Sequence, residues 1–484
     1  MPDDLFMSML AILPLIVLAA WACVLLLIDL IIPADRKGWT AALAAIGLLV
    51  TLGVLLAGGW KHYPGFGGMI IADGFSVFVC SLLLLSGLAG IALAYDYLKR
   101  TELEHGEYYP LLLFAVLGMM LMSMAADLMV VFLALELLSI PLYILAGIGV
   151  PRLSSEEASL KYFLLGAFSS GFVVYGIALV YGAAGTTGFQ AIADAITANT
   201  YDASLLLIGA ALILVGLGFK VAVVPFHMWT PDVYHGAPSS VSAFMAVGAK
   251  AAGFAALLRF FVLVLPSLSA DLTPVLWAIS ALTMILGNVV AIAQSNIKRL
   301  LAYSSIAHAG YILMALVPYG QGDVAAQSVA SALFYLVAYA FTSFAAWAVV
   351  IAVERSGEQG TNLEDLAGLG HSHPGLAAVM AVAMLSFTGV PPTLGFFGKF
   401  YLFSTVIDGG FIGLALIGVL TSLVSAFYYL RVIVIMYMRE GEPVVRREFW
   451  LYLTASAAAV GTVLLSIFST PLLNWASQAV LLFS

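Results

Sequence analysis

The sequence predicts an all-α integral membrane protein with about 14 transmembrane helices. Of the 484 residues, 63% are hydrophobic and 9% are charged, whereas a soluble domain carries about 25% charged residues. Uncharged runs such as Ala203–Phe219 and Trp39–Trp60 approach or reach the roughly 20 residues that cross a bilayer as a helix. No hydrophilic stretch is long enough for a second domain, so we expect a single polytopic membrane domain over residues 1–484.

The composition also excludes several classes of function. The chain has two cysteines, fewer than the about four ligands of an iron–sulfur cluster or a structural zinc site. It carries no phosphate-binding loop motif in a suitable context. Its net charge of −8 gives no basic surface for nucleic acid. We therefore expect no cofactor and no metal on this chain, and no nucleic-acid partner.

Charges, prolines and glycine clusters divide the sequence into about fourteen hydrophobic segments. In order, these segments cover 8–32, 39–59, 75–97, 108–125, 127–148, 157–183, 203–230, 238–265, 272–293, 300–317, 325–354, 374–408, 411–438 and 449–480. The seventh and twelfth segments contain proline and glycine in their interiors. Proline removes a backbone donor, so we expect both segments to be broken helices.

Basic residues in the connecting loops predict the orientation. The loops after odd-numbered segments contain Arg36, Lys37, Lys99, Arg100, Arg152, Lys298, Arg299, Arg355, Arg439, Arg446 and Arg447. The loops after even-numbered segments contain only Lys61. Because Lys and Arg concentrate on the cytoplasmic side, both termini are expected on the periplasmic side of a bacterial plasma membrane.

Six basic residues fall inside the hydrophobic segments: Lys161, Lys220, Lys250, Arg259, Lys399 and Arg431. Placing a lysine at a helix centre costs about 2.5–3.5 kcal/mol, so Lys220, Lys250 and Lys399 together cost roughly 8–10 kcal/mol. Such a cost is tolerable where the ammonium groups meet water, an acid or backbone carbonyls. Buried lysines of this kind mark ion or proton routes.

Glu136 is an isolated acid near the middle of the fifth segment. It is expected either to transfer protons or to be the counter-charge of a lysine on another helix; a static pair that orders helix packing is the alternative. Lys220 and Lys399 each lie on a broken segment, which suggests two five-helix repeats over about 108–265 and 272–438. With five spans each, the repeats would be inverted in the membrane. Kinks made only for packing are the alternative.

The remaining polar residues inside the segments allow two interpretations each. Lys161 lies near the cytoplasmic end of its segment, where snorkelling explains it nearly as well as function. His227 and His308 are either proton relays or packing residues. Arg259 and Arg431 lie nearer to segment ends and are expected to anchor or to pair, because arginine does not readily release its proton.

Four runs of the sequence closely resemble a known family. They are Leu135–Tyr143 (LELLSIPLY), Leu160–Phe168 (LKYFLLGAF), Pro225–Tyr234 (PFHMWTPDVY) and Lys298–Tyr311 (KRLLAYSSIAHAGY). The family is that of the antiporter-like subunit N of the proton-pumping NADH:quinone oxidoreductase, respiratory complex I. The resemblance extends over nearly the whole chain.

The resemblance implies fourteen helices with two inverted five-helix units and broken seventh and twelfth helices. Glu136 and Lys220 resemble the family's charge pair, and Lys161 resembles the lysine that modulates it. Lys250 and Lys399 resemble members of the central hydrophilic axis. NADH, FMN, iron–sulfur clusters and quinone would then be bound by partner subunits, with subunits M and K as neighbours of this chain.

Two other classes of function share features with this sequence. A subunit of a multi-subunit cation/proton antiporter has the same fold and the same Glu/Lys pair. A scaffold that only holds neighbouring subunits together is the third possibility, although nothing structural requires its buried lysines. His235 occupies a position where relatives often have an acidic or amide residue, which affects only the local polarity of the cytoplasmic side.

The loop charges lead to a test of orientation. Single cysteines in the loops near Arg36, Arg100, Arg299 and Arg447 should resist a membrane-impermeant thiol reagent in intact cells, because these loops are expected in the cytoplasm. The same cysteines should react once the membrane is permeabilised. Labelling of two or more of these cysteines from outside would show that the protein has the opposite orientation.

Overall fold

The computed structural model describes residues 2–33, 36–58, 63–355, 359–479 and 481. Lys61, the one basic residue predicted on the periplasmic side, lies outside these ranges. The helices are α1 (Pro2–Asp29), α2 (Gly38–Gly58), α3 (Gly74–Arg100), α4 (Tyr108–Met124), α5 (Leu128–Ala146), α6 (Leu153–Ala184), α7 (Phe189–Thr197), α8 (Ala203–Val221), α9 (Trp229–Gly236), α10 (Ser239–Arg259), α11 (Ser269–Ile292), α12 (Ile297–Leu316), α13 (Gly322–Val353), α14 (Leu369–Ser372), α15 (Pro374–Thr388), α16 (Leu394–Asp408), α17 (Ile412–Met438), α18 (Phe449–Ile467) and α19 (Ser469–Gln478).

The predicted segments coincide with single helices or with helix pairs separated by a break. Among the described residues, eleven helices are long and apolar enough to cross a membrane, and α4 and α15 are shorter apolar helices. The all-α membrane fold is confirmed, whereas the count of fourteen spans and the repeat units 108–265 and 272–438 stay predictions. Two features were not predicted: the antiparallel hairpin of β1 (Tyr63–Gly65) and β2 (Ile70–Ala72), and the short helix α7.

The connecting segments form two groups at opposite ends of the helices. Arg152, which follows the fifth segment, donates from Nη2 to the carbonyl oxygen of Thr101 at 3.1 Å, after the third segment. Gln321, after the tenth segment, donates to the carbonyl oxygen of Gly409 at 2.9 Å, after the twelfth. Odd-numbered connections thus meet odd-numbered ones, and even-numbered meet even-numbered, as alternating spans require.

The seventh and twelfth helices are broken, as expected. Helix α8 ends at Val221, and Ala222 adopts a left-handed conformation with φ of 64° before α9 begins at Trp229. Helix α15 ends at Thr388, followed by Gly389 with φ of 88°, and α16 begins at Leu394. Left-handed backbone cannot continue a right-handed helix, so each break leaves carbonyl groups without intrahelical donors.

Helices α10 and α13 form the centre of the molecule. In each of these two helices, 94% of the most apolar 18-residue stretch is buried, compared with 33% in α1, α2 and α18. Both central helices are apolar around most of their circumference, which is the pattern of a fully surrounded helix. The peripheral helices instead have exposed leucine, isoleucine and phenylalanine side chains on their outer faces.

Arg259 at the end of α10 makes a static ion pair. Its side chain is fully buried, and its Nη1 and Nη2 atoms donate to Asp73 Oδ2 and Oδ1, each at 2.9 Å. Its Nε donates to the carbonyl oxygen of Ser123 at 3.1 Å. Asp73 also caps the N-terminus of α3 through the backbone N–H of Ser76. The expectation that Arg259 pairs rather than conducts protons is consistent with this geometry.

We expect Arg259→Met to destabilise the protein by about 3–5 kcal/mol, because it leaves the Asp73 carboxylate buried without its counter-charge. The measurement is the thermal midpoint of the purified protein in its native assembly. Adding Asp73→Asn should recover part of the loss, since asparagine still caps α3 and carries no charge. Arg439→Met, which breaks an exposed ion pair, is the control. An Arg259→Met variant as stable as this control would contradict the assignment of Arg259 and Asp73 as a structural ion pair.

Candidate functional site

Glu136 and Lys220 are close but are not ion-paired in this conformation. Lys220 is 3% exposed, and its Nζ donates to Ser139 Oγ at 2.8 Å and to Tyr162 Oη at 3.0 Å. Ser139 lies one turn after Glu136 on α5. The Glu136 carboxylate, which is half-buried, accepts a hydrogen bond from Ser170 Oγ instead. The predicted pair is therefore in an open arrangement, with each charge held by a hydroxyl group.

The break after α8 organises the surroundings of Lys220. The carbonyl of Phe219, near the end of α8, accepts a hydrogen bond from Trp229 Nε1 at 2.9 Å. Trp229 is the first residue of α9 and stacks on Tyr162, with ring centroids 4.6 Å apart. Tyr162 is in turn a partner of Lys220. The lysine and the second half of the broken helix are thus connected through one aromatic pair.

Lys161 belongs to a cluster of charges at the end of the molecule where α9 lies. Its Nζ is 2.7 Å from Asp232 Oδ2 and 2.6 Å from Glu157 Oε1. Asp232 Oδ1 accepts a second hydrogen bond, from Arg299 Nη1 at 2.9 Å. Asp232 therefore joins α6 to α12 through α9. Lys161 lies more than two turns into α6, which begins at Leu153, and not about one turn as the segment 157–183 implied.

Asp232 lies outside the membrane-spanning segments. Partial burial raises the pKa of the Asp232 carboxyl, but hydrogen bonds from Lys161 and Arg299 outweigh burial and place the pKa below its ordinary value. A carboxyl with a depressed pKa stabilises the fold above its unfolded pKa and loses that contribution as the pH falls through the folded value. The bridge is therefore intact at neutral pH and opens only below about pH 4.

Lys250 lies in the middle of the membrane domain on α10 and is 2% exposed. Its Nζ donates to the backbone carbonyl of Ser305 on α12 and lies 5.5 Å from the ring centroid of Tyr339 on α13. Tyr339 Oη also donates to Ser305 Oγ, at 2.9 Å. Lys250 is thus held by polar groups of two other helices and is too deep to reach water by snorkelling.

Lys399 on α16 is held by the carbonyls that the twelfth-helix break exposes. Its Nζ donates to the carbonyl oxygens of Phe387 at 2.8 Å and Thr388 at 3.1 Å, the last two residues of α15. It also donates to Ser422 Oγ at 2.7 Å. A helix C-terminus carries partial negative charge, so this arrangement stabilises an ammonium group. A Cβ on Gly389 would lie 3.0 Å from Lys399 Cδ, and glycine leaves this space open.

His308 occupies the region between Lys250 and Lys399. It is 3% exposed, with Nδ1 2.6 Å from Tyr335 Oη and Nε2 3.1 Å from Tyr429 Oη. Tyr429 Oη is also hydrogen-bonded to Ser304 Oγ. Both ring nitrogens therefore contact hydroxyl groups, which can donate a hydrogen bond as well as accept one.

His227 is not brought to the lysines. It lies in the break between α8 and α9, half-buried, and its Nδ1 has no hydrogen-bond partner among the described residues. No hydrogen bond within those residues joins its ring to Lys220. The relay role of His227 stays a prediction without geometric support, whereas that of His308 is supported by its position.

The sequence analysis did not single out two acidic residues that make buried or bridging contacts. Asp232 is the only acid between Asp202 and Asp271, and that isolation is the signal that would have singled it out. Glu354 follows thirty residues without an acid and was assigned to a helix end. The structure buries it to 2% exposure. The tyrosines around His308 carried no distinguishing pattern.

The placement of Lys298 in the loop after the ninth segment was wrong, whereas its side of the membrane stays a prediction. It lies in the first turn of α12 and is 1% exposed. Its Nζ donates to the carbonyl oxygen of Ala237 at 3.0 Å and is 3.7 Å from Glu354 Oε1. A charge pattern alone does not distinguish a loop residue from the first turn of a helix that other elements cover. Arg431 binds the carbonyls of Ile292 and Gln294, as an anchoring residue would.

Comparison with known proteins identifies the family. Residues 125–425 match the family model described as "NADH:quinone oxidoreductase/Mrp antiporter, TM". The NADH-quinone oxidoreductase subunit N of Trichlorobacter lovleyi is 46% identical over 478 residues, which cover 97% of this chain and 96% of the relative. The chain belongs to the NADH-quinone oxidoreductase subunit N family.

Solved structures agree with this membership. A chain of respiratory complex I from Thermus thermophilus with bound aureothin matches this subunit N family member with a TM-score of 0.83 and 37% identity, over 96% of this chain and 99% of that one. A chain of the Mrp complex from Dietzia sp. matches with a TM-score of 0.87 but 21% identity, over 98% of this chain and 97% of that one. The second likeness shows a shared fold only.

The contacts of His308 lead to a test. We expect Tyr335→Phe and Tyr429→Phe each to slow proton translocation by the assembled complex several-fold, because each removes a hydroxyl that contacts a His308 nitrogen. Translocation is measured as quinone-linked proton uptake by inverted membrane vesicles. Tyr109→Phe is the matched control: it removes a buried hydroxyl that has no partner among the described residues. Equal effects of all three variants would argue against a relay at His308.

Proposed function

We propose that this chain translocates protons as a membrane subunit of an NADH:quinone oxidoreductase, driven by electron transfer in other subunits. Its membership of the subunit N family supports this function. The observation that carries it is the row of three buried lysines, Lys220, Lys250 and Lys399. Among the described residues, none of them has a carboxylate oxygen within 4.0 Å; each is held by hydroxyls or backbone carbonyls instead.

Neutral partners suit a lysine that changes its protonation state. A permanent cation at this depth is best stabilised by a carboxylate, as the guanidinium of Arg259 is by Asp73. Hydroxyl groups accept a hydrogen bond from an ammonium and donate one to an amine, so they accommodate both forms. Ser139 and Tyr162 at Lys220, and Ser422 at Lys399, are such partners.

The proposed path starts at the Glu136–Lys220 pair. When the pair closes, the carboxylate stabilises the protonated lysine; when it opens, burial favours the neutral amine and the proton moves towards Lys250. From Lys250 the path follows the hydroxyl groups around His308 to Lys399 and then to the periplasm. Moving each charge against the membrane potential requires about 2.3 kcal/mol per 100 mV, so the pair must change state in every cycle.

The partners and the orientation are part of the same proposal. Subunits M and K are the proposed neighbours, and NADH, FMN, iron–sulfur clusters and quinone are bound by other subunits. The termini face the periplasm because the connections after odd-numbered segments carry the basic residues. The Mrp likeness, at 21% identity, shows a shared fold and does not favour the antiporter alternative. The scaffold alternative leaves the buried lysines without a reason.

Glu136→Gln and Lys220→Met should each reduce proton translocation and, with tight coupling, NADH oxidation by at least about tenfold, because each removes a proton-transfer group. Lys250→Met should act similarly. The measurement pairs proton uptake with NADH:quinone turnover in membranes whose content of assembled complex has been determined. Arg431→Met is the control and should act mainly through stability. Unchanged turnover and proton yield in the assembled Glu136 and Lys220 variants would eliminate the proposed path.

A further inference from the structure

A narrow polar cleft lies at the end of the molecule where the odd-numbered connections meet. It is lined by residues from the ends of several elements, among them Tyr97 of α3, Arg152 before α6, Ala237 after α9, Lys298 of α12 and Glu354 after α13. In this conformation it has no space as wide as a water molecule. None of these residues belongs to the path from Lys220 to Lys399.

Lys298 and Glu354, two of the three charged residues in the cleft, are incompletely paired. Lys298 and Glu354 are 1% and 2% exposed, yet their nearest charged atoms are 3.7 Å apart, beyond hydrogen-bond distance. Glu354 Oε1 accepts a hydrogen bond from Tyr97 Oη at 3.4 Å. Its Oε2 has no partner among the described residues. A buried carboxylate oxygen without a donor is costly to the fold, so a purely structural pair would be expected to satisfy it.

The cleft is connected to Lys250 by the geometry of α12. Lys298 and Ser305 are seven residues apart, so they lie on the same face of the helix about 10 Å apart. The backbone carbonyl of Ser305 accepts a hydrogen bond from Lys250. The side-chain hydroxyl of Ser305 interacts with Tyr234 of α9 and accepts a hydrogen bond from Tyr339. Polar groups therefore lie at both ends of this stretch of α12, at the cleft and at the central lysine.

The contact that closes the cleft also involves the broken helix. Lys298 Nζ donates to the carbonyl oxygen of Ala237, the residue that ends α9. The other end of α9 carries Trp229, which stacks on the Tyr162 partner of Lys220. A displacement of α9 would therefore change the surroundings of Lys220 and release the Lys298 contact together.

We propose that Glu354, positioned by Lys298, takes up protons from the cytoplasmic side and supplies them to Lys250. When the Lys298–Ala237 contact opens, water reaches Glu354 Oε2. A hydronium ion of the cytoplasm then passes its proton through that water to the carboxylate, where a new O–H bond forms and neutral water is left behind. Glu354 then releases its proton into the water and is a carboxylate again. The hydroxyls of Tyr234 and Ser305 each take up one proton and pass on their own, so that the neutral amine of Lys250 gains a proton. This inference rests on the proposed function, because Glu354 would deliver protons to Lys250 on the path proposed above.

The test uses Glu354→Gln, which keeps the shape and removes the proton acceptor, and Glu354→Asp, which retains it. Glu364→Gln is the matched control, because Glu364 is 65% exposed and in an odd-numbered connection. Proton uptake and NADH:quinone turnover are measured in inverted vesicles from neutral to alkaline pH. The titratable and charged groups facing Glu354 are Tyr97, Lys298 and Arg152, with Arg100 over the far side of Tyr97.

We expect Glu354→Gln to slow proton uptake about tenfold or more at alkaline pH and far less at neutral pH. Without the carboxylate, protons must reach Lys250 directly from water, and that rate falls as the proton concentration falls. Glu354→Asp should recover most of the rate. A loss that is equal at every pH would indicate a structural role and overturn the inference. Wild-type behaviour in the assembled glutamine variant would overturn it as well.

A second variant covers failure to assemble. Lys298→Met/Glu354→Gln removes both charges and therefore leaves no buried ion unpaired. If the double variant assembles and shows the alkaline loss, the inference stands; if it assembles with normal pumping, or does not assemble, the pair is structural. Loss of pumping in Glu136→Gln with normal pumping in Glu354→Gln would remove the uptake site and leave the proposed function intact.

Discussion

Lysine side chains inside an apolar helical bundle need oxygen atoms around them, because the ammonium group loses its hydration there. Regular helices offer few such oxygens, since their carbonyls are already bonded to backbone N–H groups. The break between α15 and α16 releases the carbonyls of Phe387 and Thr388, which hold Lys399. After the break in the seventh helix, Trp229 donates to the carbonyl of Phe219 and stacks on Tyr162, a partner of Lys220. The irregular backbone between α15 and α16 therefore supplies the carbonyl oxygens that a buried lysine needs.

The membrane domain contains two kinds of buried cation. Arg259 is held by both oxygens of Asp73 and by a carbonyl, an arrangement that fits one permanent charge. Lys220 and Lys399 have hydroxyl groups among their partners. Arginine stays charged under all physiological conditions, whereas lysine releases a proton when its surroundings change. The same protein thus separates charges that fix the fold from charges suited to transfer.

The sequence predicted the features that depend on composition and local pattern. Three features follow from the cost of polar groups in an apolar setting: the hydrophobic segments, the breaks in the seventh and twelfth segments, and the buried positions of Lys220, Lys250 and Lys399. The family resemblance added the pairing of Glu136 with Lys220, which no local pattern specifies.

The features that were missed depend on how distant elements pack. Lys298 reads as a loop residue until Ala237 and Glu354 are seen to cover it. Asp232 acquires its role only because α6 and α12 both reach α9. The tyrosines around His308 come from α13 and α17, far apart in the chain. Such contacts are set by tertiary structure, which a single sequence does not specify.

The hydroxyl groups around His308 have a consequence for the direction and timing of transfer. A hydroxyl that receives a proton on one side and releases its own on the other ends with its O–H bond reversed. Tyr429, between Ser304 and His308, would be left in this reversed orientation after each passage. It would have to rotate back before the next proton could follow in the same direction. In the proposed path, the tyrosine cluster is therefore a device that must be reset once per proton, and a neighbouring helix that hindered this rotation would slow the pump without blocking any charged group.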